Sequence, residues 1–178
     1  SPQRVCDPVL LYGYTRELNG GSNPMPGAKP YLLVYAYDAR MNDPEETEAI
    51  RAYARSKGLQ IVSPGFFHSW ADRNVNCDPE QLLLWFKHAS GVVTDTFHGT
   101  VMSIIARTPM AVKTRDNANK ILALLDEHGL ADRRVAGFDD LDAVFGREID
   151  WKHVDDAVLE HRKESMDWLK SALDGATK

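Results

Sequence analysis

Between Thr94 and Thr100 the chain reads Thr-Asp-Thr-Phe-His-Gly-Thr, a short stretch holding hydroxyls, a carboxylate, an imidazole and a glycine. An imidazole can act as a cation toward phosphate or carry protons near neutral pH, so His98 is the candidate acid/base. The hydroxyls of Thr96 and Thr100 are neutral donors, and Gly99 permits a sharp turn and a close backbone approach. If a helix starts here, its first N–H groups favour an anion by roughly 0.3–1 kcal/mol, up to ~2 when partly buried. The set therefore suits a phosphate or carboxylate ligand beside a proton carrier. On spacing alone a plainer reading stays open, in which Asp95 and Thr96 only cap the helix and His98 bonds a loop carbonyl.

A second group of chemically active residues follows at Lys113, Arg115 and Lys120. In a doubly wound sheet the carboxyl ends of neighbouring strands lie together, so Lys113 and Arg115 are expected to approach His98 and complete an anion pocket. Each taken alone also fits a solvated basic loop. Arg40, His68, Trp70, His128 and the acidic run Asp139, Asp140 and Asp142 are weaker candidates, each with an ordinary structural explanation. The chain has no GxGxxG, Walker, HExxH or GxSxG pattern, so dinucleotide, NTPase, zincin and hydrolase-elbow readings lack support. No metal-ligand set is visible, and no cofactor is expected.

The elements that must hold these residues follow from periodicity. Tyr31–Tyr37, Leu59–Ser63, Gly91–Asp95 and Pro109–Lys113 are β-prone apolar runs, as expected for strands buried on both faces. Between them lie helical patterns near 43–57, 79–89 and 99–107. Asp43-Pro44 and Asp78-Pro79 supply N-cap and first-turn signals, and Gly58 supplies a stop. A helix is expected over 117–128, a short one near 139–145, and a long amphipathic one from about Asp150 to Leu173. A short edge strand is expected near Val75–Cys77, and a breaker-rich loop over 19–30. The alternation predicts a Rossmann-like, doubly wound, mostly parallel α/β sheet. The chain divides into a leading segment and linker (1–30), the α/β domain (31–150) and a C-terminal helix packed on it (151–178).

With 178 residues, 43% hydrophobic and 26% charged, the chain can bury an ordinary core and is not of disordered composition. A formal net charge of −5 and no block of Lys and Arg weigh against nucleic acid as a partner. Two cysteines, Cys6 and Cys77, make no disulfide framework or zinc spacing and fit a reducing cytoplasm. No run reaches the ~20 apolar residues of a membrane span, which leaves peripheral association as the expected membrane role.

Val92-Val93-Thr94-Asp95-Thr96-Phe97-His98-Gly99-Thr100-Val101, with Ser103-Ile104-Ile105-Ala106 and Pro109 behind it, resembles the (T/S)DSFHG…S(I/L)…P signature of the polysaccharide pyruvyl transferase family. Thr96 stands where that family commonly has Ser, which keeps the hydroxyl. Weaker likenesses at Asp7–Leu11, Tyr31–Tyr35, Pro79–Ala89 and Asn117–Arg133 extend the resemblance over about residues 4–135.

The resemblance implies a fold like the C-terminal half of a GT-B-type enzyme, with an N-terminal domain of the same protein as the other wall of a cleft. It also implies an activity. Pyruvate passes from phosphoenolpyruvate to a sugar diol as a cyclic ketal, in exopolysaccharide or cell-surface glycan synthesis at the cytoplasmic side of the membrane. The acceptor would be a sugar or lipid-linked oligosaccharide. In that setting His98 moves protons, Thr96, Gly99 and Thr100 hold the phosphate, and Lys113 or Arg115 takes the remaining negative charge. Two alternatives are kept: a GT-B-type glycosyltransferase using a nucleotide-sugar, and a non-catalytic domain of the same fold.

Overall fold

Strand β1 (Tyr31–Tyr35) shows why the sheet forms where it does. Tyr31 and Leu33 belong to one buried apolar cluster, while Leu32 and Val34 belong to another. Side chains alternate across a strand, so an unbroken apolar run feeds two cores, one on each face. The same alternation recurs in β2 (Gln60–Pro64), β4 (Gly91–Thr94) and β5 (Met110–Lys113). Each fully buried Val, Leu or Ile contributes about 1.5–3 kcal/mol. The computed structural model describes residues 5–115 and 118–176; the expected helix start at Asn117 lies outside them.

Helix α3 (Pro44–Ser56) and the short α7 (Leu141–Gly146) cover one face, through Ile50, Ala54, Leu141 and Val144. The other face carries α4 (Pro79–Lys87), α5 (Phe97–Ala106), α6 (Asn119–Glu127) and α8 (Trp151–Ala176). Asp43 and Asp78 cap α3 and α4 as their Asp-Pro signals predict, with side chains accepting from Glu45 N–H at 2.9 Å and Gln81 N–H at 2.8 Å. Among the described residues no helix is long and apolar enough to cross a membrane.

Two edge strands complete a parallel sheet of order β3-β2-β1-β4-β5-β6. Strand β3 is Arg73–Val75, slightly earlier than the pattern predicts, and β6 is Arg134–Val135, which the pattern does not predict at all. Two residues are too few to show a period. The winding reverses between β1 and β4, and in open α/β sheets the crevice outside the carboxyl ends at that reversal is where ligands bind. This is the expected doubly wound, Rossmann-like fold.

The leading residues differ from expectation. Pro8–Tyr12 and Thr15–Gly20 form helices α1 and α2, and Cys6, Leu10, Leu18 and Met25 are buried in the main core. The Asp7-Pro8 pair is a helix start, with Asp7 Oδ1 accepting from Val9 N–H at 2.9 Å. Helix α8 pins this segment. Arg162 Nε donates to Leu10 O at 2.6 Å and Cys6 N–H donates to Ser165 Oγ at 2.8 Å. The first helix is thereby held against the amino end of α5.

Candidate active site

The β4–α5 turn sits at the reversal of the sheet. Thr94 Oγ1 donates to Tyr35 O at 2.6 Å and accepts from Thr96 N–H at 3.1 Å. Thr96 is the N-cap of α5, its Oγ1 accepting from Gly99 N–H at 2.9 Å. Thr100 Oγ1 donates to Thr96 O at 3.0 Å, and Ser103 Oγ donates to Gly99 O at 2.8 Å. A Cβ on Gly99 would lie 2.7 Å from Thr96 Oγ1 and closer still to Thr94 Oγ1, so this position demands glycine for space.

Thr96, Gly99 and Thr100 are therefore buried parts of the turn, and their expected donors are directed inward. At the helix start the N–H groups of Phe97 and His98 have no acceptor within the helix.

His98 itself points out. Its side chain is 59% exposed, and Nε2 stands 3.9 Å from Asp7 Oδ2. That separation is an electrostatic contact rather than a hydrogen bond. The ring also meets Phe97 edge-on at 5.6 Å. Beside it opens a hollow of about 220 Å³ walled mainly by Tyr14, Tyr35, Leu82, Leu83 and Met102. Asp7 and Phe97 border a second, more polar hollow of about 270 Å³, with Lys120, Glu127 and His161. Burial pushes the Tyr35 phenol above its ordinary range, assisted by Tyr37 and Cys77. Asp7 is the partner that sequence reasoning missed; the Asp-Pro cap signal was its only trace.

The expected cations do gather, but around carboxylates. Asp95, whose side chain is fully buried, accepts from Arg115 Nε at 2.6 Å through Oδ2. The same oxygen lies 3.8 Å from Arg40 Nη1. Asp95 Oδ1 has no hydrogen-bond partner among the described residues. Glu46 Oε2 accepts from Arg115 Nη2 at 3.1 Å, and Glu46 Oε1 pairs with Lys113 Nζ. Burial opposes the charge on Arg115, but its hydrogen bond to Asp95 and the nearness of Asp95 and Glu46 prevail and hold it protonated more firmly than an ordinary arginine.

Lys113 looks into a hollow of about 280 Å³ that also carries Asp43, Glu45, Glu46 and Asp139. Lys120 lies on the polar hollow beside Asp7, so the basic residues divide between two places.

The weaker candidates take structural roles. His68 is buried with Nδ1 2.9 Å from Ser63 Oγ, and burial lowers its pKa. Trp70 packs edge-on against it at 5.7 Å. His128 is buried with Nδ1 2.7 Å from Leu124 O, which makes Nδ1 the protonated nitrogen of a neutral ring. Asp142 pairs with Lys57 at 2.5 Å on the surface.

A model of the polysaccharide pyruvyl transferase family matches residues 1–117. The chain belongs to that family. The match takes in Asp7, Arg40, Asp95, His98, Lys113 and Arg115 together, so the residues at the sheet reversal all fall inside the family region of this transferase-family chain.

Among solved structures, the glycotransferase of kitacinnamycin is similar at 17% identity and TM-score 0.50, over 83% of this chain and 42% of that one. The glycosyltransferase SnogD from Streptomyces nogalater is similar at 13% identity and TM-score 0.46, over 93% of this chain and 43% of that one. The first likeness agrees with the fold expected for this pyruvyl transferase-family chain. The chain spans less than half the length of either protein. No curated protein matches it.

Proposed function

We propose that the protein transfers pyruvate from phosphoenolpyruvate to two hydroxyls of a sugar, giving a cyclic ketal and phosphate, with His98 as proton carrier. The observation that carries this reading is the exposed imidazole of His98 on an otherwise closed turn, facing Asp7 at 3.9 Å at the reversal of the sheet. Membership of the family supports the same chemistry.

The balance of the reaction states what His98 has to do. One acceptor hydroxyl loses a proton as its oxygen bonds to C2 of the donor, and C3 gains a proton to become a methyl group. A second hydroxyl closes the ring as the C2–O bond to phosphate breaks, and its proton leaves with the phosphate. A single imidazole can accept from oxygen and return to carbon or to the leaving group, worth about 10²–10⁴ in rate. Asp7 is the carboxylate nearest the ring, with Oδ2 3.9 Å from His98 Nε2. The walls of Tyr14, Tyr35, Leu82 and Leu83 suit the less polar face of a sugar ring. The acceptor is a sugar or lipid-linked oligosaccharide.

The test incubates the natural full-length protein with phosphoenolpyruvate and sugar acceptors, and separately with nucleotide-sugars. Phosphate release with ketal formation is the expected result. Nucleotide release alone would overturn the reading in favour of glycosyl transfer. His98→Ala should lower the rate by about 10²–10⁴ and leave the unfolding midpoint unchanged, because the side chain is largely in solvent.

A further inference from the structure

We propose that Arg40 and Arg115, gathered on one buried oxygen of Asp95, form a two-guanidinium clamp for a small oxyanion at the carboxyl ends of β1, β4 and β5. Asp95 is the positioning residue of this clamp. The inference deepens the reading above by naming the anion contacts of the same site, and its test separates the two.

Charge is the first support. Arg40 and Arg115 both approach Oδ2 of Asp95, while Glu46 is shared between Arg115 and Lys113. A buried carboxylate without neutralising partners is costly, which draws guanidinium groups to Asp95. One carboxylate oxygen cannot neutralise both of them.

Where these cations face is the second support. Lys113 is turned toward a hollow with Asp43, Glu45, Glu46 and Asp139, a setting that repels anions. Arg40 and Arg115 instead remain 45% and 32% exposed. Arg115 spends Nε and Nη2 on Asp95 and Glu46, which leaves Nη1. Among the described residues Arg40 has only its 3.8 Å contact with Asp95 and a position over the Tyr37 ring at 5.4 Å. Its planar fork of donors, the geometry that fits phosphate and carboxylate, is largely unspent.

Placement is the third. Arg40 follows β1 in a shaped loop, its N–H donating to Tyr37 O at 2.8 Å, while Asn42 Nδ2 donates to Asp38 O at 2.6 Å. Asp95 Oδ1 is buried and has no hydrogen-bond partner among the described residues, so the guanidiniums meet the carboxylate through Oδ2 alone. All three residues lie where the sheet order reverses and where α5 begins.

Titration calorimetry of the full-length protein with inorganic phosphate and, separately, with pyruvate tests the clamp. The two probes distinguish a phosphate ligand from a carboxylate one. At least one of them should bind, and Arg40→Ala should weaken it about 10- to 100-fold, as expected for a charge-assisted contact. Arg40→Lys keeps the charge but loses the fork, and should recover only part of the affinity.

Asp95→Asn removes a negative charge beside the cations, so simple electrostatics predicts tighter binding, whereas a positioning role predicts weaker binding. Tighter binding would overturn that role. The exposed Arg40 variants carry the test even if Asp95→Asn fails to fold. Failure of both probes to bind the unaltered protein, or unchanged affinity in Arg40→Ala, overturns the clamp. Probe binding that depends on Arg40, without turnover of phosphoenolpyruvate, keeps the clamp and sinks the pyruvyl-transfer reading alone.

Discussion

The hydroxyl-lined turn at 94–100 and the guanidinium pair on Asp95 share one strand end, yet they treat polar atoms in opposite ways. In the turn, Thr94, Thr96, Gly99 and Thr100 spend their donors on one another and on Tyr35 O. On Asp95, two guanidiniums compete for one carboxylate oxygen and keep donors to spare. Neutral polar groups that enter a tight buried turn must pair, and the cheapest partners are adjacent backbone atoms. Charges of like sign cannot satisfy each other, so the two guanidiniums keep part of their surface in solvent. The turn is a frame whose donors are spent inward, while the guanidiniums and His98 stay partly in solvent.

If this contrast holds, substitutions in the frame cost stability and those on the exposed face cost binding. Gly99→Ala should have the largest effect on stability. Its methyl group would press on Thr94 Oγ1, which is pinned by Tyr35 O. Overpacking of this kind costs about 1–3 kcal/mol, readable as a lower midpoint in denaturant unfolding. An unchanged midpoint would show that the turn has room and that the contrast is overstated.

The contrast extends to two histidines, His98 in solvent and His128 in the core. Burial lowers the His128 pKa below its ordinary 6.5, with His161 adding to the effect and the Leu124 carbonyl opposing it. Above that ordinary value both the folded and unfolded states are neutral there. As pH falls through and below it, the unfolded chain takes up a proton that the folded one resists, so stability is lost. Unfolding measured from about pH 7 to about pH 5 should show this loss, at most ~1.4 kcal/mol per pH unit from one group. His128→Gln should shallow the slope. An equal slope in both proteins would assign the effect to other groups, such as His68, whose pKa burial also lowers.

Thr96→Val removes the cap and should cost about 1 kcal/mol, whereas Thr96→Ser should stay near the unaltered protein. Arg40→Ala should change stability least, by less than about 0.5 kcal/mol, because the side chain is half-exposed and its ion pair is long. A larger loss of stability there would make Arg40 part of the frame.

Much of the fold is legible along the chain. Apolar runs mark β1, β2, β4 and β5, and the Asp-Pro pairs at 43–44 and 78–79 mark the starts of α3 and α4. The same Asp-Pro signal at 7–8 precedes a helix of only five residues, too short to show a period. Strand β6 is silent for the same reason. Thr96 and Thr100 read as ligand donors from their type, although it is burial that directs their hydroxyls inward.

The sequence by itself determined the two-faced sheet, the strand–turn–helix at 94–100 and the family. These rest on neighbours a few residues apart, where periodicity and local hydrogen bonding act. Only the tertiary structure decided which charges meet. Parallel register sets Tyr35 beside Thr94 and Thr94 beside Val112, which carries Arg40, Asp95 and Arg115 to one point. Packing of α1 against α5 and α8 brings Asp7 to His98 across about half of the chain. Coulomb attraction acts through space, so its partners are chosen by the register and packing that other residues create.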